Sequence, residues 1–331
     1  MKDSFVKAQY PAIFSKRAGL SGLIFFIFLF PLIDRNPYHI DIFVTAGIFI
    51  LLALGLNVIV GYAGILNLGY AALFAVGAYA YAFANLNLHL PFWPGLAVSA
   101  AAAALAGMLF AFPALRLSGD YLAIVTLGAG EIVRIALNNL DAITGGPNGL
   151  LGIEHPRLGF LNYDFGVRSE PYYYLVYALV FAAAFLLKRL ESSPLGRAWV
   201  AMREDELAAS CMGVNLVWAK LWAFAIGGFV AGIAGCVFAS KQGTVSPDSF
   251  DFVVSVMVLA MIVLGGLGNI WGAVLGAFVL SLLPEFLRGA DVYRMLFFGL
   301  AMILMMLLRP QGILGEVRHR EEFQKASGDN A

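Results

Sequence analysis

Charge is scarce in this chain. Asp, Glu, Lys and Arg make up 13% of its 331 residues, against 61% hydrophobic residues and a mean hydropathy of +0.83. Ordinary soluble domains carry about 25% charged residues, so this composition excludes one and indicates a protein that crosses the membrane several times. The few charges cancel, 21 basic against 21 acidic, which removes the electrostatic basis for a nucleic-acid partner. Cysteine is nearly absent. Cys211 lies in a polar segment and Cys236 deep in the following apolar run, a separation that excludes an intrachain disulfide, and neither has the neighbours of a metal site. The four histidines, His39, His89, His155 and His319, fall in loops or the tail, which argues against an intramembrane proton relay or metal centre. No lysine stands in a G-x-x-x-x-G-K-[ST] context, and H-E-x-x-H and G-x-S-x-G are missing. The chain therefore binds no nucleotide through such a loop and is no hydrolase of those classes; if ATP drives it, another polypeptide carries the ATPase.

What is present is a series of apolar runs long enough to cross about 30 Å of hydrocarbon. Ten occur, near 18–33, 40–60, 64–84, 91–113, 117–137, 171–190, 217–239, 251–267, 270–287 and 293–309. They predict an all-α, polytopic bundle of about ten spans. Residues 1–17 form a cytoplasmic N-terminal segment, 18–310 the transmembrane domain and 311–331 a charged cytoplasmic tail. No small-residue cleavage pattern follows the first run, so it reads as a retained span. With both termini inside, fourteen Lys and Arg fall on the cytoplasmic side and six outside, with Arg134 within a span. That asymmetry favours this orientation.

One long polar-rich segment reads as a helix between apolar runs: SSPLGRAWVAMREDELAASCMGVN, residues 192–215. Ser192 or Ser193 caps it, Pro194 opens it, and Gly213 with Asn215 stops it. Trp199, Met202, Leu207 and Met212 give it an apolar side, while Arg203, Glu204, Asp205 and Glu206 form a cluster too polar for lipid. Tied at both ends to spans, it is either a solvated connector or a surface helix on which a soluble partner docks.

Four residues stand out within the apolar runs. Asn57 and Asn67 either line a polar path or bond a neighbouring helix. Glu131 and Arg134, three residues apart, share one helical face and either form a structural pair or line the translocation path. Two Gly-rich stretches, GYAGILNLGY from Gly61 and GGLGNIWG from Gly265, each begin with small residues that permit close helix approach and hint at a parallel repeat. The longest outside loop, 138–170, contains ITGGPNGLLG, whose glycines demand tight turns.

Taken together, GLNVIVGYAGILNLGYAALFAVGAYAYA, RLSGDYLAIVTLGAGEIVR, TGGPNGL, SPLGRAWVAMREDELAASCMGVN, SPDSFDF and VLGGLGNIWGAVLGAFVLSLLPEFLR resemble the permease subunit of bacterial ABC importers for branched-chain amino acids. The matching stretches run from about residue 55 to 288. The resemblance implies a multi-pass protein of the bacterial inner membrane whose substrate path is formed with a second, related permease. It also implies two cytoplasmic ATPase subunits that bind the ATP and an extracytoplasmic amino-acid-binding protein; no cofactor is implied for the chain itself. Importers of this kind carry E-A-A-x-x-x-G in the helix that docks on the ATPase. Ala208, Ala209 and Gly213 match it, whereas Leu207 occupies the Glu position and Glu206 lies one residue early. The implied docking set is therefore Arg203, Glu204, Asp205, Glu206, Ala208, Ala209 and Gly213. Related importers carry urea and amides, and a stand-alone transporter built on Asp120, Glu131 and Arg134, or a membrane scaffold or enzyme, are the readings from other classes.

Overall fold

The computed structural model describes residues 36–117, 119–158, 163–166, 168–286 and 312–314, together with Pro31, Gly299 and Ile303. The expected spans at 18–33 and 293–309 and most of the expected tail lie outside the described residues. The architecture is a helical bundle whose long members run between two ends.

Helix α1 (Pro37–Leu56) opens with Asn36, whose side chain accepts from the Tyr38 amide, and with Pro37 in the first turn, a pairing that satisfies an otherwise orphaned donor. It continues as a π-helical turn, Asn57–Tyr62. Helices α2 (Tyr70–Leu88), α3 (Phe92–Ala114), α4 (Asp120–Asn139) and the short α5 (Asp141–Thr144) follow. Then come α6 (Ser169–Glu191), α7 (Pro194–Glu204), α8 (Glu206–Cys211), α9 (Leu216–Gln242), α10 (Phe252–Gly265) and α11 (Ile270–Phe286). Six helical stretches among the described residues are long and apolar enough to cross a membrane, and Ile270–Glu285 is a shorter apolar helix. The run at 117–137, α4, is helical but is not among those six.

Helix α9 lies at the centre, packed on α3 and α2 with α1 on another side. Its backbone approaches its neighbours so closely that a Cβ on Gly232 would sit 2.8 Å from Ala100 Cα and 2.9 Å from Ala103 Cβ. Ser99 Oγ lies 2.7 Å from both Gly77 O and Gly232 O, tying α2, α3 and α9 at one point. Small residues at such crossings replace the hydrophobic driving force that lipid does not supply.

At one end the loops fold into small antiparallel ribbons. Leu150 and Leu151 (β1) pair with Val245 and Thr244 (β4), and Arg157–Leu158 (β2) with Tyr163–Asp164 (β3). The 138–170 region is therefore not a plain loop. It holds the end of α4, α5 and a 3-10 turn Gly146–Asn148, and it is fastened to the α9–α10 connection. The opposite end carries the end of the π-helical turn, α7 and α8, and the α10–α11 turn. The ribbons and the 192–215 segment thus sit at opposite ends of the bundle.

Two sequence expectations change. The span placed at 64–84 starts only at Tyr70, because Gly64 takes a left-handed φ of +71° that ends the preceding helix. Residues 63–69 form an irregular stretch that enters the bundle. The first amides of α2 are consequently buried, and three of the donors at its start go to side chains. Leu68 N donates to Thr126 Oγ1 at 3.1 Å, Gly69 N to Asn67 Oδ1 at 2.9 Å and Ala71 N to Ser255 Oγ at 2.9 Å. The single helix expected over 192–215 is two. Asp205 is extended, at φ −159° and ψ 113°, and its carboxylate accepts from Leu207 N at 2.8 Å and Ala208 N at 3.0 Å. A short acidic side chain competes for the amides ahead of it, so Asp205 ends α7 and caps α8.

Candidate functional site

The projecting end of the bundle is built from α7 and α8. Ser193 Oγ accepts from Gly196 N at 3.2 Å with Pro194 in the first turn, as the spacing predicts. The inner face of α7 consists of Gly196, Trp199 and Met202. Trp199 is fully buried and donates from Nε1 to Ala219 O at 2.7 Å, which fastens α7 to the start of α9. Helix α8 behaves differently. Only Ala209 is buried, while Leu207 is 78% and Met212 85% exposed and Ala208, Ser210, Cys211 and Gly213 face outward with them. Gly213, at φ +86°, ends the helix with open space around it.

The predicted charged cluster splits by role. Arg203, Glu204 and Asp205 are all exposed, and Asp205 is engaged as the cap. Arg203 turns toward the bundle and donates from Nη1 to Gly61 O at 2.6 Å. Glu206 pairs with Lys220 at 3.0 Å; the Lys220 side chain is 6% exposed, that of Glu206 41%. Lys220 Nζ also donates to Ala114 O at 2.9 Å, the last residue of α3. Lys220 escaped the sequence reading. Its signal was a lysine five residues beyond the Asn215 cap, at the start of an otherwise apolar span, where an ammonium needs a partner.

The path candidates also separate. Asn57 is buried and accepts from Gly268 N at 3.0 Å, bonding α1 to the α10–α11 turn. Asn67 is buried with its Oδ1 on Gly69 N, and its Nδ2 has no hydrogen-bond partner among the described residues. Glu131 and Arg134 do pair, Arg134 Nε donating to Glu131 Oε2 at 2.9 Å, and each is 32% exposed. They lie on α4, whose outer face exposes Tyr121, Ile124, Ile132 and Ile135. Glu131 lines a shallow open cleft of about 10 Å³, room for one water, whose other walls are the start of α2, at Gly69 and Ala71, and the start of α10, at Asp251 and Ser255. Two helix N-termini and two carboxylates, Glu131 and Asp251, therefore meet at one concavity. Among the described residues no group of three or more His, Cys, Asp or Glu is placed to hold a metal ion.

The two Gly-rich stretches singled out in the sequence adjoin at the α7–α8 end. Gly64 and Gly268 are both left-handed; Asn269 caps the start of α11 by accepting from Trp271 N and Gly272 N, whereas Asn67 accepts from Gly69 N just before α2. The two turns touch through Gly61, Asn57 and Gly268.

Comparison with known proteins bears on this geometry. The family model for the branched-chain amino acid transport system permease component matches residues 38–306. The high-affinity branched-chain amino acid transport system permease protein LivM of Salmonella typhimurium is 45% identical over 314 residues, covering 88% of this chain and 74% of its own length. LivM of Escherichia coli matches with the same identity and coverage. The probable branched-chain amino acid transport permease protein LivM of Methanocaldococcus jannaschii is 26% identical over 82% of this chain and 91% of its own. No solved structure matches the chain. A match across most of the bundle, including residues 192–215 and both Gly-rich turns, leads to one conclusion: the chain belongs to the permease-component family of branched-chain amino acid transport systems.

Proposed function

We propose that this chain is one of two related permeases of an ATP-driven importer for branched-chain amino acids, a multi-pass protein of the bacterial inner membrane. Both termini and helices α7–α8 face the cytoplasm, in keeping with the Lys and Arg asymmetry. Two ATPase subunits supply the ATP and dock on α7–α8, and a binding protein delivers the amino acid at the ribbon-bearing end. The observation that carries this reading is α8. A folded helix that shows Leu207 and Met212 almost fully to water, beside a fully buried Trp199, is a surface formed for an apolar partner groove.

The open face of α4 supplies the path. A carboxylate and a guanidinium within the bundle cannot face lipid at tolerable cost, so the Glu131–Arg134 side is covered by the second permease or by water. The cleft at Glu131 presents the positive ends of two helix dipoles beside carboxylates, which suits passage of a zwitterion: α-carboxylate toward the helix ends, ammonium toward Glu131. ATP binding in the partners moves α7 and α8, and the bundle shifts between two arrangements that open the cleft to either side.

The test is reconstitution of the chain with its ATPases, second permease and binding protein in proteoliposomes, reading ATP-dependent uptake of labelled leucine. Competition by isoleucine and valine, and none by urea or acetamide, is the expected result. Uptake by this chain without ATPase subunits, or preferential competition by the amides, would overturn the reading.

A further inference from the structure

The contacts of Arg203 point to a role that the docking surface alone does not account for. Helix α1 ends in the π-helical turn Asn57–Tyr62, past which Gly61 O has no helical amide to accept from, as at any helix C-terminus. Arg203 fills that vacancy with a short bond to Gly61 O, 2.6 Å, placing a cation on the negative end of the α1 dipole. Two left-handed glycines shape its slot. A Cβ on Gly64 would lie 2.9 Å from Arg203 Cγ, and one on Gly268 would lie 2.9 Å from Arg203 Nη1.

The same turn is held from two further directions. Tyr62 donates to Glu191 Oε2 at 3.2 Å, at the last residue of α6. Asn57 accepts from Gly268 N at 3.0 Å, in the α10–α11 turn. The docking segment 192–215 leaves the bundle beside Glu191 and bonds back through Arg203, so both sides of α7 converge on one π-helical turn. Such turns are locally widened and recur at functional sites. Downstream of it lie only the irregular residues 63–69 before the start of α2, which forms a wall of the Glu131 cleft. That stretch is itself held, Ile65 N donating to Ile59 O at 3.0 Å and Leu68 N to Thr126 Oγ1 at 3.1 Å, so a displacement of Gly61 is carried toward that wall.

We propose that Arg203 is the positioning residue that carries movement of α7–α8 into the substrate path, by holding the π-helical end of α1, with Asn57 extending the connection to the α10–α11 turn. This rests on the importer reading above. Arg203 then differs from Leu207 and Met212: it keeps the partner coupled, and they keep it bound.

The experiment compares the assembled importer carrying wild-type chain, Arg203→Gln, Arg203→Lys or Leu207→Asp in proteoliposomes, measuring ATPase retention, ATP hydrolysis and leucine uptake in parallel. In Arg203→Gln, retention and hydrolysis stay near wild type while leucine moved per ATP falls about tenfold, the scale of losing one charge-assisted bond. Arg203→Lys restores part of that ratio, which loss of packing alone would not explain, and Leu207→Asp loses the ATPase itself. Should Arg203→Gln fail to accumulate in the membrane, Arg203→Lys is read alone, and an intermediate ratio supports the proposal. A wild-type ratio in either Arg203 variant, or loss of ATPase retention in Arg203→Gln, overturns it. Absence of ATP-driven uptake with the wild-type chain would instead overturn the importer reading, and the proposal with it.

Discussion

Glu206 and Lys220 form an ion pair whose two members sit in different surroundings, so removing one should cost far more than removing the other. The Lys220 side chain is 6% exposed and that of Glu206 41%. Glu206→Ala strands a buried ammonium on the single carbonyl of Ala114. Breaking a buried pair this way costs about 3–5 kcal/mol, but water follows the missing carboxylate into this half-open position, so about 2 kcal/mol is expected. Lys220→Met leaves a carboxylate that water can solvate and a side chain of similar length in the lysine's place. The lost bond to Ala114 O is offset by the desolvation no longer required, so the net change is within about 1 kcal/mol. The double variant should resemble Lys220→Met, giving a coupling of about 2 kcal/mol, or nearly thirtyfold in the unfolding equilibrium. Glu206→Gln, which keeps the side chain's shape, should follow Glu206→Ala in sign. The assay is equilibrium unfolding in mixed micelles at rising SDS fraction, followed by tryptophan fluorescence, for which buried Trp199 beside Ala219 is a local reporter. Additive single effects, or a larger loss from Lys220→Met than from Glu206→Ala, would refute the reasoning.

With exposed Cys211 replaced by serine, cysteines introduced at Ser193 and Asn148, at opposite ends of the bundle, should label from opposite faces of the membrane with an impermeant maleimide; labelling from one face would refute the orientation. Gly232→Ala places a Cβ 2.8 Å from Ala100 Cα, so α3 and α9 must separate, at a cost of about 1–3 kcal/mol in the same micelle unfolding; unchanged stability would mean the helices yield freely there. Glu131→Gln and Arg134→Gln should couple by less than about 1 kcal/mol in stability, since each partner is 32% exposed, yet each should lower leucine uptake by about tenfold or more if the pair lines the path. Uptake that falls only as far as the amount of folded protein would make the pair structural.

Much of this protein was legible without coordinates because its apolar runs are long and its punctuation is local. Ser193 with Pro194 starts a helix through contacts within three residues, as the sequence reads, while Asn215, read as part of a stop, also caps the start of α9. Hydropathy over about twenty residues follows from the thickness of hydrocarbon alone. The projecting character of 192–215 was equally visible, since Glu204 to Glu206 exclude it from lipid whatever surrounds it. The Glu131–Arg134 pair could be read from a three-residue helical spacing. What the sequence could not decide depends on partners distant along the chain. Asp205 has two options, helix interior or cap, and the burial of Trp199 against Ala219 favours the bend. The start of α2 can lie inside the bundle only because Thr126 and Ser255, 58 and 184 residues away from the amides they accept from, take its donors. Lys220 reads as one more cytoplasmic lysine until Ala114 and Glu206 surround it. Arg203 reads as part of a solvated charge cluster until Gly61, 142 residues earlier, presents an unmatched carbonyl. Local chemistry sets where the helices begin and what they avoid, but only the packed bundle decides which polar group answers which, because an unpaired group in a low-dielectric interior is costly and its nearest available partner is set by tertiary contact rather than by sequence distance.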